Sequence, residues 1–170
     1  MIEVIMFDLG GTLVSGSPPV PMPGILEALA DIQTLVDSNG KPLDWCLVSD
    51  FYSVTPPAVP NKVSEMENQY KVILQDTGLD SFFSPFDQRV TLSTHLGILK
   101  PDCRIFQLAL SRLGRGTLPL EKCLLITEEA FHVSFVRSFG MKALRFGAIG
   151  NPGVDFSSWA EVKSLIAQYV

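Results

Sequence analysis

Ile5-Met6-Phe7-Asp8-Leu9-Gly10-Gly11-Thr12-Leu13 is a short apolar run that stops abruptly at a carboxylate, followed by two glycines and a threonine. A run with no polar alternation predicts a strand buried on both faces, the signature of a parallel sheet covered by helices. Glycines just beyond it permit a tight turn and a close approach of backbone to a ligand. In an open parallel sheet, ligands bind beyond the carboxyl ends of the strands, so Asp8 is expected at a crevice. The same residues would also suit an aspartate that only begins a turn.

The surrounding chain supplies the rest of the sheet. Apolar runs recur at 43–48, 90–92, 123–126 and 143–146, and segments with helical spacing lie between them. That alternation predicts parallel strands joined by crossover helices, hence an α/β fold. Ile25, Leu29, Ile32 and Val36 share one face of a helix over 24–36, stopped by Ser38-Asn39-Gly40. Further helices are expected over 62–76, 130–139 and 158–169, and one from Pro101-Asp102 onward, with the proline in its first turn. Two proline-rich stretches, 15–23 and 55–60, read as surface loops.

Composition narrows the functional classes. A chain of 170 residues with 46% hydrophobic and 18% charged residues fits one globular domain over 1–170 that needs no disulfide staples. Cys46, Cys103 and Cys123 have no ligand-like spacing and are expected as free thiols. A net charge of −5 argues against a nucleic-acid or anionic-membrane surface, and neither partner is expected. No apolar stretch reaches a membrane span, and Glu3 with Asp8 interrupts what would otherwise resemble a leader, so the expected location is cytoplasmic.

The residues that follow each apolar run belong together on one crevice. Leu47-Val48 leads to Ser49-Asp50, which offers a hydroxyl and backbone amides. Gly97-Ile98-Leu99-Lys100-Pro101-Asp102 holds a lone lysine in an extended dipeptide. Ile126-Thr127 leads to Glu128-Glu129. An aspartate can attack phosphorus, a divalent cation between Asp8 and Glu128 can offset charge, and Ser49 with Lys100 can bind phosphoryl oxygens. Without such cations, a carboxylate is repelled by an anionic phosphate.

With these residues in place, the chain resembles the haloacid dehalogenase (HAD) superfamily, most of whose members are magnesium-dependent phosphatases. Asp8-Leu9-Gly10-Gly11-Thr12 is similar to the family's D-x-D-G-T; Ser49 resembles its second motif, Lys100 in Gly-x-x-Lys-Pro-Asp its third and Glu128 its fourth. Gly78-Leu79-Asp80-Ser81-Phe82-Phe83 and Phe139-Gly140-Met141-Lys142 resemble its connecting segments. The resemblance implies a three-layer α/β/α sandwich, Rossmann-like, with five parallel strands ordered fifth, fourth, first, second, third. It implies catalytic roles for Asp8, Ser49 and Lys100, and phosphate binding by Gly11, Ser49, Asp50 and Lys100. Magnesium would be held by Asp8, the Gly10 carbonyl, and Glu128 or Glu129.

Two motifs depart from the pattern. The family's second aspartate is Gly10, which removes the usual general acid and base, a contribution of roughly 10²–10⁴ in rate. The fourth motif carries Thr127-Glu128-Glu129, then His132 at a four-residue offset, and its longer carboxylates fit magnesium's rigid octahedron less well. His95 and His132 each read either as packed or surface histidines or as proton carriers. The intervals between motifs leave no length for a cap domain, so the expected site is open. It would take a phosphorylated small molecule or macromolecule, or be covered by a protein partner. The expected function is an atypical aspartyl-phosphate phosphohydrolase, with a degenerate binding or regulatory protein as the alternative; dehalogenation and phosphonate cleavage fit less well.

Overall fold

A computed structural model describes residues 1–51 and 60–170. Its elements run β1 (Val4–Phe7), β2 (Val14–Ser15), β3 (Val20–Pro21), α1 (Ile25–Ile32), β4 (Asp44–Ser49), α2 (Pro60–Asp76), α3 (Phe86–Arg89), β5 (Val90–Leu92), α4 (Cys103–Arg112), β6 (Cys123–Thr127), α5 (Ala130–Ser138), β7 (Lys142–Arg145) and α6 (Val162–Ile166). Five strands form one parallel sheet in the order β5-β4-β1-β6-β7. This is the order expected from the sequence, with the first strand central.

The central strand shows why three layers form. Successive side chains of a strand point to opposite faces. Ile5 and Phe7 join Leu47, Leu124 and Ile126 beneath α1, α2 and α6, where Leu29, Tyr70 and Val162 are buried. Val4 and Met6 join Cys46, Val48 and Leu125 beneath α4 and α5, where Phe106 and Val136 are buried. Trp159 seals the first face, its ring 6.4 Å from that of Phe7 and 5.5 Å from that of Phe146. Each such apolar side chain contributes about 1.5–3 kcal/mol on burial, which explains why so short a strand holds the sheet's centre. Cys46 and Cys123 are buried and Cys103 half-buried, all as free thiols.

Local chemistry moved several boundaries. The stretch 15–23, expected as loop, takes part in an antiparallel hairpin in which buried Val14 faces Pro21 and exposed Ser15 faces exposed Val20. A proline is tolerated there because a two-stranded ribbon leaves edges that need no donor. Helix α1 ends at Ile32 instead of 36, because the chain turns back: the Asp37 carboxylate accepts from Asn39 N (2.8 Å) and Lys41 N (2.9 Å), and Val36 bridges to Pro42. Side-chain capture of backbone amides by Asp outcompetes helix continuation at such a site. The last segment is helical only over Trp159–Glu161, as a 3₁₀ turn, and Val162–Ile166. The proline-rich stretch at 55–59 lies outside the described residues. Among the described residues no helix is long and apolar enough to cross a membrane.

Pro101 also lies outside its helix. Helix α4 begins at Cys103, and Asp102 is its N-cap, its carboxylate accepting from Arg104 N at 3.0 Å and pairing with the Arg104 guanidinium. Asp102→Ala is expected to lower stability by about 1 kcal/mol, the ordinary worth of a side-chain cap. Asp102→Asn, which keeps an acceptor, is expected to lose less. Urea unfolding would check this, and equal midpoints for wild type and Asp102→Ala would refute it.

Candidate active site

Strand β1 carries Asp8 out of the sheet on its last ladder bond, Asp8 N to Ile126 O at 3.0 Å. The chain then folds tightly over Leu9, whose carbonyl accepts from Leu13 N (2.8 Å) and Val14 N (3.0 Å). Asp8 is 7% exposed and Lys100 5%, and Lys100 Nζ forms an ion pair with Asp8 Oδ2. Asp8 Oδ1 accepts from Leu9 N at 2.9 Å and Oδ2 from Thr127 Oγ1 at 3.1 Å. The carboxylate is thus fixed by its own turn, by the adjacent strand and by the loop before α4.

The other strand ends meet it. Asp8, Gly10, Ser49, Asp50, Lys100, Glu128, Glu129 and His132 line one cavity of about 310 Å³ at the carboxyl edge of the sheet. Asp50 Oδ1 accepts from Lys100 N at 2.9 Å, tying the loop after β4 to the segment that delivers the lysine. Thr12 and Glu128 bond reciprocally: Thr12 Oγ1 donates to Glu128 Oε2 and accepts from Glu128 N at 3.0 Å. Glu129 is exposed at the N-cap of α5, its amide donating to Thr127 Oγ1 at 3.2 Å. Glu128 is therefore the fixed carboxylate of the two.

Gly11 does not line this cavity. Its amide donates to Val14 O at 2.8 Å, and its φ of 71° with a would-be Cβ only 2.6 Å from Glu128 Oε1 shows its place: it lets the glutamate lie against the turn. Gly10 is the opposite case, outside the left-handed region and with nothing within 4 Å of a would-be Cβ. Position 10 lines the cavity and has open space where a Cβ would stand.

Charge in this cavity is unbalanced. Four carboxylates (Asp8, Asp50, Glu128, Glu129) face one lysine. Burial, then the charge of Asp8, pushes the Glu128 carboxyl above the usual carboxylate range, and burial pushes up that of Asp50. Burial, then the Lys100 charge, pushes the His132 imidazole down. Like charges a few ångströms apart cost several kcal/mol at a partly buried site, so an anionic phosphate entering here requires a further cation. The donors suit a hard one: the carboxylates of Asp8 and Glu128 with the Gly10 carbonyl. No cluster of three metal-ligating side chains occurs among the described residues. Magnesium typically takes one or two carboxylates and completes its shell with water and substrate phosphate, which fits this set.

Some partners escaped sequence reasoning. Thr12 and Thr127 orient the two carboxylates. A hydroxyl beside a strand end is a weak signal by itself, and nothing local in the sequence ties Thr12 to Glu128 or Thr127 to Asp8. His95 is set apart from the cavity-lining residues: Nδ1 accepts from Leu92 N at 3.2 Å, and Nε2 meets Glu67 Oε1 of α2 at 3.1 Å. It is a structural histidine.

Sequence comparison returns neither a matching family model nor a matching curated protein. Solved structures match in fold. A HAD family hydrolase from Deinococcus radiodurans R1, with bound phosphate and sodium, superposes with TM-score 0.69 at 13% identity over 99% of this chain and 96% of that one. A putative beta-phosphoglucomutase from Thermotoga maritima gives 0.68 at 14% over 99% and 100%. A HAD phosphatase from Thermococcus onnurineus gives 0.66 at 13% over 97% and 98%.

The two glycines should respond differently to substitution. Gly11→Ala is expected to cost at least about 1–2 kcal/mol, from the left-handed backbone plus displacement of Glu128. Gly10→Ala is expected to leave the unfolding midpoint nearly unchanged. Denaturant unfolding of both variants checks this, and equal costs would contradict the described turn.

Proposed function

From a fold shared with HAD hydrolases, we propose that this protein is a phosphohydrolase that forms an aspartyl phosphate at Asp8, with magnesium as its cofactor. The observation that carries the reading is the position of Asp8. A buried, triply fixed carboxylate stands at the end of the central strand, paired with Lys100, in the cavity where the other strand ends meet. Such a carboxylate is a preorganised nucleophile, since it needs no reorientation before attack. When bound between Asp8, the Gly10 carbonyl and Glu128, magnesium would neutralise phosphoryl charge and so relieve the excess of carboxylates.

The chain's own residues divide the remaining work. Lys100 stabilises charge developing on the phosphoryl oxygens, Ser49 offers a hydroxyl to another of them, and Thr127 with Leu9 N keeps Asp8 aimed. Glu128, clamped by Thr12, keeps one ligand position fixed. Position 10 supplies no acid to the departing oxygen. Turnover should therefore depend on leaving groups that depart as anions: aryl and acyl phosphates ahead of alkyl phosphates. The substrate class is a phosphorylated small molecule or macromolecule, bound by a single domain spanning 1–170. A binding or regulatory role for the same cavity is the second reading, and the observation that favours it is Gly10.

Rate measurements with magnesium separate the two. Wild type is expected to hydrolyse p-nitrophenyl phosphate and acetyl phosphate, and Asp8→Asn to abolish both activities. Gly10→Asp, at a position where a Cβ meets open space, is expected to raise alkyl phosphate hydrolysis by about 10²-fold or more. No turnover dependent on Asp8, no gain from Gly10→Asp and no beryllium fluoride adduct at Asp8 would leave the binding role as the function.

A further inference from the structure

The chain has two histidines, and the structure uses them in different ways. Both ring nitrogens of His95 are committed, one to Leu92 N and one to Glu67. His132 is uncommitted. It projects from the first turns of α5 into the cavity shared with Asp8 and Lys100, its side chain 13% exposed. Its Nδ1 is buried with no hydrogen-bond partner among the described residues. Its Nε2 faces Asp50 Oδ2 at 4.0 Å, beyond a direct hydrogen bond but within reach of its charge.

Asp50 is itself held in place. Its other oxygen accepts from Lys100 N, and the side chain of the same lysine holds Asp8. One residue therefore positions both the nucleophile and the carboxylate behind the imidazole. No carboxylate stands at position 10, and among the cavity-lining residues only an imidazole takes up and releases a proton near neutrality without losing a charge needed for binding phosphate.

We propose that His132, supported by the charge of Asp50, is the proton acceptor for the water that hydrolyses the aspartyl phosphate; the inference rests on the phosphohydrolase reading above. The water oxygen bonds to phosphorus as the bond from phosphorus to the Asp8 oxygen breaks, its electron pair returning to the carboxylate. One water proton passes to His132 Nε2, Asp50 stabilises the imidazolium, and the proton then leaves to solvent. Inorganic phosphate is released and Asp8 is restored. No oxidant or other co-reactant is required. His132 serves the second half-reaction alone, which leaves the first dependent on good leaving groups.

Rapid-mixing kinetics with p-nitrophenyl phosphate and magnesium test this. His132→Ala is expected to release about one equivalent of p-nitrophenol per protein in a burst, then turn over about 10²-fold slower than wild type. Acid quenching should trap the phosphoryl group on Asp8, and added imidazole should restore steady turnover. His132→Gln should show the same burst without imidazole rescue if the side chain fills the space, and Asp50→Asn should slow the second phase less. Wild-type steady turnover in His132→Ala, or burst and steady phases slowed alike with no trapped phosphoryl group, overturns the role of His132 alone. Absence of any Asp8-dependent turnover in wild type overturns the phosphohydrolase reading, and this one with it.

Discussion

The buried ion pair between Asp8 and Lys100 is the constraint around which this molecule is arranged. Two charges taken out of water are costly, and their mutual attraction compensates only when geometry and further hydrogen bonds are good; removing one partner of such a pair typically costs about 3–5 kcal/mol. The fold meets that condition with parts far apart in sequence. Strand β1 fixes Asp8, Thr127 of β6 and Leu9 N satisfy its oxygens, and Asp50 after β4 holds the backbone of Lys100. Three strand ends are thereby locked to one another through three charged side chains, Asp8, Lys100 and Asp50.

That locking explains the rest of the cavity. Strands that end together bring their following residues together, so four carboxylates from three strand ends crowd round one lysine. The resulting excess of negative charge is unfavourable for the empty protein and useful for one that takes up a cation and a phosphate. Glu128 shows how closely the site is built: it is clamped by Thr12 and lies where any side chain on residue 11 would have to be. Adjacent glycines thus have unlike reasons, the second being steric and the first leaving space open. The space left at position 10 opens on the same cavity that His132 of α5 lines.

The apolar runs and the helical segments between them marked the five strands and their parallel pairing, because residues buried on both faces admit no polar interruption; their order, with the first strand central, came only from the family resemblance. Strand ends then named Asp8, Ser49, Lys100 and Glu128, since topology places every carboxyl end on one edge. Boundaries were less legible. Helical spacing continued through Val36, but the Asp37 carboxylate captured two amides and turned the chain. A dense run of prolines concealed a hairpin, because pairing with exposed edges needs few donors.

What only the tertiary structure decided is which polar groups meet. Thr12 and Glu128 lie 116 residues apart, and Asp8 and Thr127 lie 119 apart. No local pattern encodes such pairs. The histidines make the point most directly: both follow a strand, both were open to either reading, and their neighbours separate them. Helix α2 brings Glu67 to His95 and fixes it, whereas the cavity leaves His132 beside Asp50 with a nitrogen unpaired among the described residues. A side chain's identity sets the chemistry it can do; its partners, chosen by packing across the whole chain, set whether it is free to do it.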